Sequence, residues 1–347
     1  MNRNQVISDL CAIGSWFQAI TSENDQIKHP FSAAITQDFR DAIDREVFKN
    51  GWFESQNVKD ALTALSHWLN EATLVRFSEE YSFAAFDRTL GLILAGNIPM
   101  VGFHDVLCGL LSGFKLQIKL SSDDNRLLPI VVNALSELNP KYASVITLNP
   151  TKLTGFDAVI GTGSDATLLH FKSYFKETPH LLRGNRTSVA VLTGEESTVQ
   201  LTQIGKDIFT YFGRGCRNVT HLMVPVSYSF EAFFNAILPY QDVVRNKKYG
   251  NNYDYNRAIH LLSQQHLLDN GFVLLMESTE LHPPLAMIYY HHYKSFEDVL
   301  SYITLKKEQI QCVVGNQFAP FGSSQSPSIS DFADGINTME WLKNVIN

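Results

Sequence analysis

Several features are missing from this sequence, and each absence excludes a class of protein. No apolar run approaches the roughly 18 residues that a membrane-spanning helix needs. The four cysteines, Cys11, Cys108, Cys216 and Cys312, stand far apart with no C-x-x-C spacing. That pattern argues against a disulfide framework and against a thiolate zinc site, so no metal is expected. Basic charge is in deficit, with 28 Lys and Arg against 35 Asp and Glu and a net charge of -7. A protein whose main work is binding nucleic acid or an anionic membrane has the opposite balance. No internal repeat and no low-complexity linker interrupts the chain, so any domain boundary is compact. The first ten residues carry neither the apolar core nor the cleavage pattern of a secretion signal. The expectation is a cytoplasmic protein with reduced thiols and no membrane insertion.

What is present is ordinary for an enzyme: 347 residues, 45% apolar and 18% charged. A chain of this length can bury a large core and is expected to fold as two domains. Residues 1 to about 80 read as helical, most clearly over Asp60–Leu69, and carry no functional reading. From residue 89 the pattern alternates. Strands are predicted at Leu90–Ala95, Phe114–Lys119, Ser144–Leu148 and Asp157–Ile160, and helices at Gly102–Leu111, Asp123–Leu138 and Ser164–Phe175. The second of these helices would carry acidic residues in its first turn. A second alternating block starts at Ser188–Leu192. It continues through a helix before Cys216, a strand at Val219–Val224, helices over 230–244 and 254–269, and strands at Phe272–Met276, Leu285–Tyr290 and Gln311–Val314. Ser295-Phe-Glu-Asp298 is a capping box that opens a helix, and a last helix is expected near Met339. This β-α-β-α rhythm predicts the α/β class, with a mostly parallel sheet covered by helices on both faces.

Cys216 is the residue with the strongest chemical context. It lies in Phe212-Gly-Arg-Gly-Cys216-Arg, where Gly213 and Gly215 allow close backbone approach and leave the sulfur unshielded. Arg214 and Arg217 place positive charge beside it and favour the thiolate, the nucleophilic form. A small buried hydrophobe at a domain junction is the plain alternative. Asn97, in Ala95-Gly-Asn97-Ile-Pro99, stands at the carboxyl end of a predicted strand, where open α/β sheets bind ligands. Lys119, Ser121 and Ser122 end the next strand, with an ammonium and hydroxyls suited to ribose and phosphate. Gly161-Thr-Gly163-Ser164 joins a strand to a helix and can aim backbone amides at a phosphate, although Ala166 breaks the full G-x-G-x-x-G pattern. His170, His221 and His260 are candidates for a general base beside Cys216 in a cysteine hydrolase. His170 and His260 fall in apolar helical patterns, which suits core histidines better. His291 and His292 point to opposite faces of a strand, poor geometry for one metal.

Taken in order, these segments resemble the aldehyde dehydrogenase superfamily over most of the chain after about residue 85. The likeness is strongest to its acyl-CoA reductase branch, the LuxC-type long-chain fatty-acid reductases. Asn97-Ile-Pro99 is similar to the family's Asn-x-Pro, whose asparagine amide holds the oxyanion. Lys119-Leu-Ser121-Ser122 resembles the adenosine-site Lys-Pro-Ser-Glu, and Gly161-Thr-Gly163-Ser164 the Thr-Gly-Ser beneath the pyrophosphate. Cys216 falls where the nucleophile lies. Glu280-Leu-His-Pro283 is similar to Glu-x-Phe-Gly-Pro, whose glutamate touches the nicotinamide ribose, and Pro320-Phe-Gly-Ser323 to the carboxyl-terminal Pro-Phe-Gly-Gly.

The departures refine what the resemblance implies. The glutamate that activates water in hydrolytic members falls here on Leu182, which favours a thioester that is reduced rather than hydrolysed. Ser122 replaces the ribose-gripping glutamate of NAD-preferring members, which favours NADPH, with NADH as the alternative; Asp123 next door tempers that preference. His282 replaces the usual Phe, and the shorter chain leaves the superfamily's oligomerisation hairpin in doubt. The expected architecture is a helical amino-terminal region with an NAD(P)-binding, Rossmann-like domain over 1–187. A catalytic α/β domain over 188–318 and a tail over 319–347 returning toward the cofactor domain complete it. The expected activity is NADPH-dependent reduction of an acyl-CoA or acyl-carrier-protein thioester to an aldehyde through an acyl-Cys216 intermediate. A CoA-acylating aldehyde dehydrogenase acting on short aldehydes, a cysteine acyltransferase or thioesterase without nicotinamide, and a non-catalytic nucleotide-binding relative are the alternatives. A homo-oligomer fits the resemblance.

Overall fold

The strand and helix patterns resolve into two units in a computed structural model that describes residues 1–22, 24 and 26–346. The first unit takes Met1–Gly184 together with the chain from Ser328 onward, and the second takes Asn185–Pro327.

The first unit opens with α1 (Arg3–Thr21), α2 (Ala33–Lys49), α3 (Ser55–Trp68) and α4 (Glu71–Ser78). Three of these start at capping side chains: Asn2 accepts the Gln5 N–H, Ser32 that of Ile35 and Asn70 that of Thr73. Their inward faces bury Trp16, Phe17 and Phe39, and the Trp16 indole N–H donates to Thr36 Oγ1 at 3.0 Å. Each fully buried apolar side chain of this size contributes about 1.5–3 kcal/mol.

The unit continues as β1 (Thr89–Ile93), α5 (Phe103–Leu111), β2 (Lys115–Lys119), α6 (Leu127–Leu138), α7 (Tyr142–Val145), β3 (Ile146–Leu148), β4 (Ala158–Thr162), α8 (Asp165–Tyr174) and β5 (His180–Arg183). The strands form one parallel sheet in the order β3-β2-β1-β4-β5. The chain leaves β1 toward β2 and β3 and returns on its other side with β4. That reversal puts a topological switch point at the carboxyl ends of β1 and β4, where such sheets receive ligands.

In the second unit come β6 (Thr187–Val191), α9 (Thr198–Phe209), β7 (Val219–Pro225), α10 (Glu231–Ile237), α11 (Lys247–Leu262), β8 (Leu268–Asp269), β9 (Leu274–Glu277), β10 (Met287–Tyr293), α12 (Phe296–Leu305) and β11 (Ile310–Val314). The sheet order is β11-β6-β7-β10-β9-β8, parallel except for the β8–β9 pair. The capping box at Ser295 and Asp298 is present. The last helix, α13 (Thr338–Ile346), belongs to the first unit and buries Met339 and Leu342 there. It is tied by buried Arg183, which donates to Asp105 at 2.7 Å and to Thr338 Oγ1 at 2.8 Å. The α/β class with parallel sheets is as expected.

Several elements differ from expectation, among them the strand predicted at Ser144–Leu148, which begins only at Ile146 after the helical turn of α7. The helix predicted from Asp123 begins only at Leu127 and has no acidic first turn. Asp124 is instead buried, and its carboxylate accepts the Met100 N–H at 2.7 Å, a bond that competes with helix entry. The helix predicted over 254–269 stops at Leu262, because Gln264 turns left-handed (φ 55°) and Leu268 pairs with Leu275 as a strand. The helix predicted over 230–244 is α-helical only to Ile237; Pro239, lacking an N–H, starts a 3-10 segment that runs to Arg245. Strand β5 was not predicted: His180-Leu-Leu-Arg183 is short and bounded by polar residues, and its parallel pairing with β4 sets its conformation.

Candidate active site

Cys216 sits on the loop between α9 and β7, and that loop is built against backbone preference. After α9 the chain places Tyr211, Phe212 and Gly213 in the left-handed region, at φ 53°, 59° and 74°. For the two aromatic residues this costs roughly 1–2 kcal/mol each. Gly213 takes its left-handed conformation without that cost, and Gly215 is not at positive φ. One buried polar side chain offsets the strain. Asn218, fully buried, donates its amide N–H groups to the carbonyls of Asp207, Ile208 and Thr210 at 2.8–3.0 Å. Its Oδ1 accepts the Gly215 N–H at 2.7 Å. One side chain thus caps the end of α9 and fixes the residue before the cysteine.

Asp207, at the end of α9, is also fully buried and holds a different segment. Its carboxylate accepts the Gly322 N–H at 2.6 Å, the Ser324 N–H at 2.9 Å and the Ser324 hydroxyl at 2.7 Å. Burial raises its pKa, and these three donors oppose the shift. The Pro320–Ser323 segment is therefore fastened to the helix that leads to Cys216. Gly322 makes this feasible: its φ is +83°, and a Cβ there would collide with the side chain of Gln203. Cys216 itself is half-buried, and its carbonyl accepts a hydrogen bond from Ser188 Oγ at 3.1 Å. Ser188 Oγ also lies 3.1 Å from Cys312 Sγ. None of the four cysteines is in a disulfide.

Glu280 is in the same unit, exposed on the loop between β9 and β10. Its carboxylate meets Lys306 Nζ at 3.5 Å, and its N–H donates to Ser278 Oγ at 3.1 Å. A cavity of about 80 Å³ is lined by both loops, with Phe212 and Gly213 from one and Pro283, Pro284 and Leu285 from the other. A larger cavity, about 490 Å³, lies beyond Pro225 and is lined by Gly194, Glu196, Tyr228 and Glu231. It stands past the carboxyl end of β7, whereas Cys216 precedes the strand, a separation of about 20 Å at the rise of an extended chain. The smaller cavity is lined by residues on either side of Cys216, from Ile208–Gly213 and from Val219–Thr220, and not by the cysteine itself.

Asn97, Lys119, Ser121, Ser122, Gly161, Gly163 and Ser164 all belong to the first unit and gather at the carboxyl ends of β1, β2 and β4. Asn97 is half-buried in the turn after β1. A Cβ on Gly96 would come within 2.5 Å of Ser121 Oγ, so the two turns touch here. Lys119 closes β2 with an outward side chain, Ser121 Oγ accepts the Asp123 N–H at 3.2 Å, and Ser122 is exposed. Ser164 is the N-cap of α8 and accepts the Thr167 N–H at 3.3 Å. Gly161 and Gly163 pack closely against Leu182 and Thr167. A ten-residue helix amino end and a Gly-Ser turn after β4, with a lysine and hydroxyls at the end of β2, two strands away, are groups that can donate to phosphate and ribose oxygens. Asp165 in the first turn opposes a phosphate, as does Asp123 beside Ser122.

The histidines fall differently from expectation. His170 is exposed on α8, a helix whose only buried residue is Leu168, and half-buried His260 bonds to Gln265; neither is a core residue. His221 is fully buried on β7, with Nδ1 3.0 Å from the Glu280 carbonyl and Nε2 2.6 Å from His291 Nδ1. Both of its ring nitrogens are occupied, which removes it as a base for Cys216. Among the described residues no group of three His, Cys, Asp or Glu side chains could hold a metal, and no helix is long and apolar enough to cross a membrane.

With this geometry in hand, comparison with known proteins is informative. The family described as acyl-CoA reductase (LuxC) matches residues 59–227. No curated protein sequence matches. Solved structures do. Aldehyde dehydrogenase 21 from Physcomitrella patens, in complex with the product succinate, aligns with a TM-score of 0.63 and 9% identity, covering 100% of this chain and 89% of that one. A Mycobacterium tuberculosis aldehyde dehydrogenase complexed with NAD+ aligns at 0.59 with 13% identity, covering 86% and 70%. Lactaldehyde dehydrogenase from Escherichia coli aligns at 0.56 with 12% identity, covering 86% and 73%. At these identities the structural likeness shows the fold.

Proposed function

From the premise that this chain belongs to the LuxC-type acyl-CoA reductases of the aldehyde dehydrogenase superfamily, and is an oxidoreductase of acyl and aldehyde groups, we propose that it reduces an acyl thioester to an aldehyde through an acyl-Cys216 intermediate. The observation that carries the reading is the strained loop of Cys216 and the buried side chain that holds it. A half-buried cysteine on a left-handed turn, with Asn218 spent on holding that turn, suits a nucleophile better than a packing residue.

In the acylation step the Cys216 thiolate forms a C–S bond to the thioester carbonyl of an acyl-CoA or acyl-carrier protein. The bond to the donor sulfur breaks, and the donor leaves as a thiol after taking up a proton. The Asn97 amide and the Cys216 backbone N–H hold the developing oxyanion; one such donor is worth about 3 kcal/mol in the barrier. Leu182 stands where a water-activating glutamate would be, so the acyl enzyme persists rather than hydrolysing.

A nicotinamide dinucleotide, when bound, supplies the hydride that takes the acyl carbon to the aldehyde level. Lys119, Ser121 and Ser122 would hold its adenosine end, the turn Gly161–Ser164 its pyrophosphate, and Glu280 the ribose next to the nicotinamide. Ser122 brings no carboxylate to repel a 2′-phosphate, which supports NADPH over NADH. Leaving nothing on His221 to deprotonate Cys216, the hydrogen-bond pattern speaks against the thioesterase alternative.

Intact-mass analysis after incubation with acyl-CoA, with no nicotinamide added, tests the intermediate. The protein should gain one acyl group, and Cys216→Ala should gain none. An adduct that survives in Cys216→Ala would remove Cys216 as the nucleophile.

A further inference from the structure

The layer between the second sheet and α12 is apolar, with Val189, Val191 and Met223 from the strands, Leu281 from the β9–β10 connection and Val299 from α12, yet two histidines are set into it. His221 on β7 and His291 on β10 lie on the same face, because the parallel register pairs His221 with Tyr289 and His291 with Met223. Burying two imidazoles in such a layer is costly unless every polar atom has a partner. Their partners lead to one place, the segment that carries Glu280.

The hydrogen-bond chain has one consistent set of protons. A carbonyl oxygen only accepts, so the Glu280 carbonyl fixes the proton of His221 on Nδ1. Neutral His221 then accepts at Nε2, and His291 must donate from Nδ1. Burial and the neighbouring His291 push the pKa of His221 down to about 3, so the ring stays neutral and this order holds across the working range. Tyr302 of α12 covers both rings, with centroids 5.4 Å from His221 and 4.4 Å from His291, and its hydroxyl donates to the Thr279 carbonyl at 2.9 Å. Lys306, just past α12, reaches the Glu280 carboxylate. Two successive backbone carbonyls and one side chain are thus gripped from β7 and from the α12 end, while Leu281 anchors the next residue in the core.

We infer that His221, His291 and Tyr302 are positioning residues that set the Glu280 segment for the ribose of the nicotinamide dinucleotide. This rests on the reading of Glu280 given above. The loop needs such help, since His282 and Ala286 both sit in the left-handed region, at φ 65° and 64°, and the Glu280 side chain is 72% exposed. Without the grip, an exposed glutamate on a strained connection would sample many positions, and ordering it would weaken binding.

The test measures NADPH and NADH affinity by fluorescence titration of the protein without acyl donor, alongside acylation of Cys216 by acyl-CoA without cofactor. His221→Phe should weaken cofactor binding about tenfold and leave acylation unchanged, the usual size of effect for a lost buried hydrogen bond. His221→Asn, whose amide can put an N–H near the position of Nδ1, should recover most of the affinity. Tyr302→Phe keeps the rings stacked and loses only the bond to Thr279; it should weaken binding a few-fold and serves if His221→Phe does not fold. Glu280→Gln separates the two claims. If Glu280→Gln weakens binding while His221→Phe and Tyr302→Phe bind as wild type, the positioning role is overturned and the glutamate's role stands. If Glu280→Gln itself binds as wild type, the ribose role falls and the positioning role with it. Equal loss of acylation and cofactor affinity in the histidine variants would mean general destabilisation and would also overturn the inference.

Discussion

At the scale of single residues, the side chains that matter most around Cys216 are the ones that do no chemistry. Asn218 bonds to three carbonyls and one N–H around the turn. Asn218→Ala should cost roughly 2–4 kcal/mol, because several buried backbone groups lose their partners at once. Chemical denaturation would measure that loss, and the alkylation rate of Cys216 would report the loosened loop. A second prediction concerns Asp124, whose pKa burial raises to about 7, helped by nearby Glu46, itself raised by burial. A carboxyl with a raised folded-state pKa binds its proton more tightly in the folded chain than in the unfolded one. Its contribution to stability is therefore fullest below the ordinary carboxylate range and is lost as pH climbs toward about 7. Asp124→Asn keeps an acceptor for the Met100 N–H and should flatten this dependence between about pH 4 and 7. The change is at most about 4 kcal/mol from the shift involved. A pH series of urea melts decides it; an unchanged slope in Asp124→Asn would assign the dependence elsewhere. Neither residue was legible in the sequence. Asn218 and Asp207 read as ordinary loop and helix polars, since burial is a tertiary fact, and His221 and His291 meet only because parallel pairing aligns β7 with β10 across 70 residues.

At the scale of elements, the alternation of apolar runs with helical patterns gave both parallel sheets and placed Asn97, Gly163 and Ser164 at strand ends. Local period carries that information directly. It failed where tertiary pairing overrode it: β5 is a strand because β4 lies beside it, and α6 starts late because Asp124 is drawn to Met100. Turn contacts were likewise hidden. The turn after β1 passes so close to Ser121 that Gly96→Ala should push the two turns apart. Such an overpacked contact typically costs about 1–3 kcal/mol, and here it should weaken nucleotide binding as well, as a thermal-shift titration with NADPH would show. Gly322→Ala should act on the other unit, freeing the Pro320–Ser323 segment from Asp207 and lowering the melting temperature without altering dinucleotide affinity.

At the scale of the whole molecule, the residues proposed for the dinucleotide's adenosine and pyrophosphate lie in the first unit, while Cys216, the proposed nucleophile, and Glu280, proposed for the nicotinamide ribose, lie in the second. The return of the chain from Ser328 to the first unit, tied down by Arg183 through Thr338, makes that unit discontinuous in sequence. Arg183→Met should therefore release α13 and destabilise the first unit, since it leaves Asp105 buried without its charge partner; a loss of about 3–5 kcal/mol is expected. Limited proteolysis would find α13 cut first.

The most direct test of the account is consumption of NADPH with a panel of acyl-CoAs of increasing length, comparing wild type with Cys216→Ala. The account predicts consumption matched by aldehyde formation, dependent on acyl length, and absent from Cys216→Ala. Release of free CoA and carboxylic acid with no NADPH consumed would contradict it, because the enzyme would then be hydrolysing its thioester rather than reducing it.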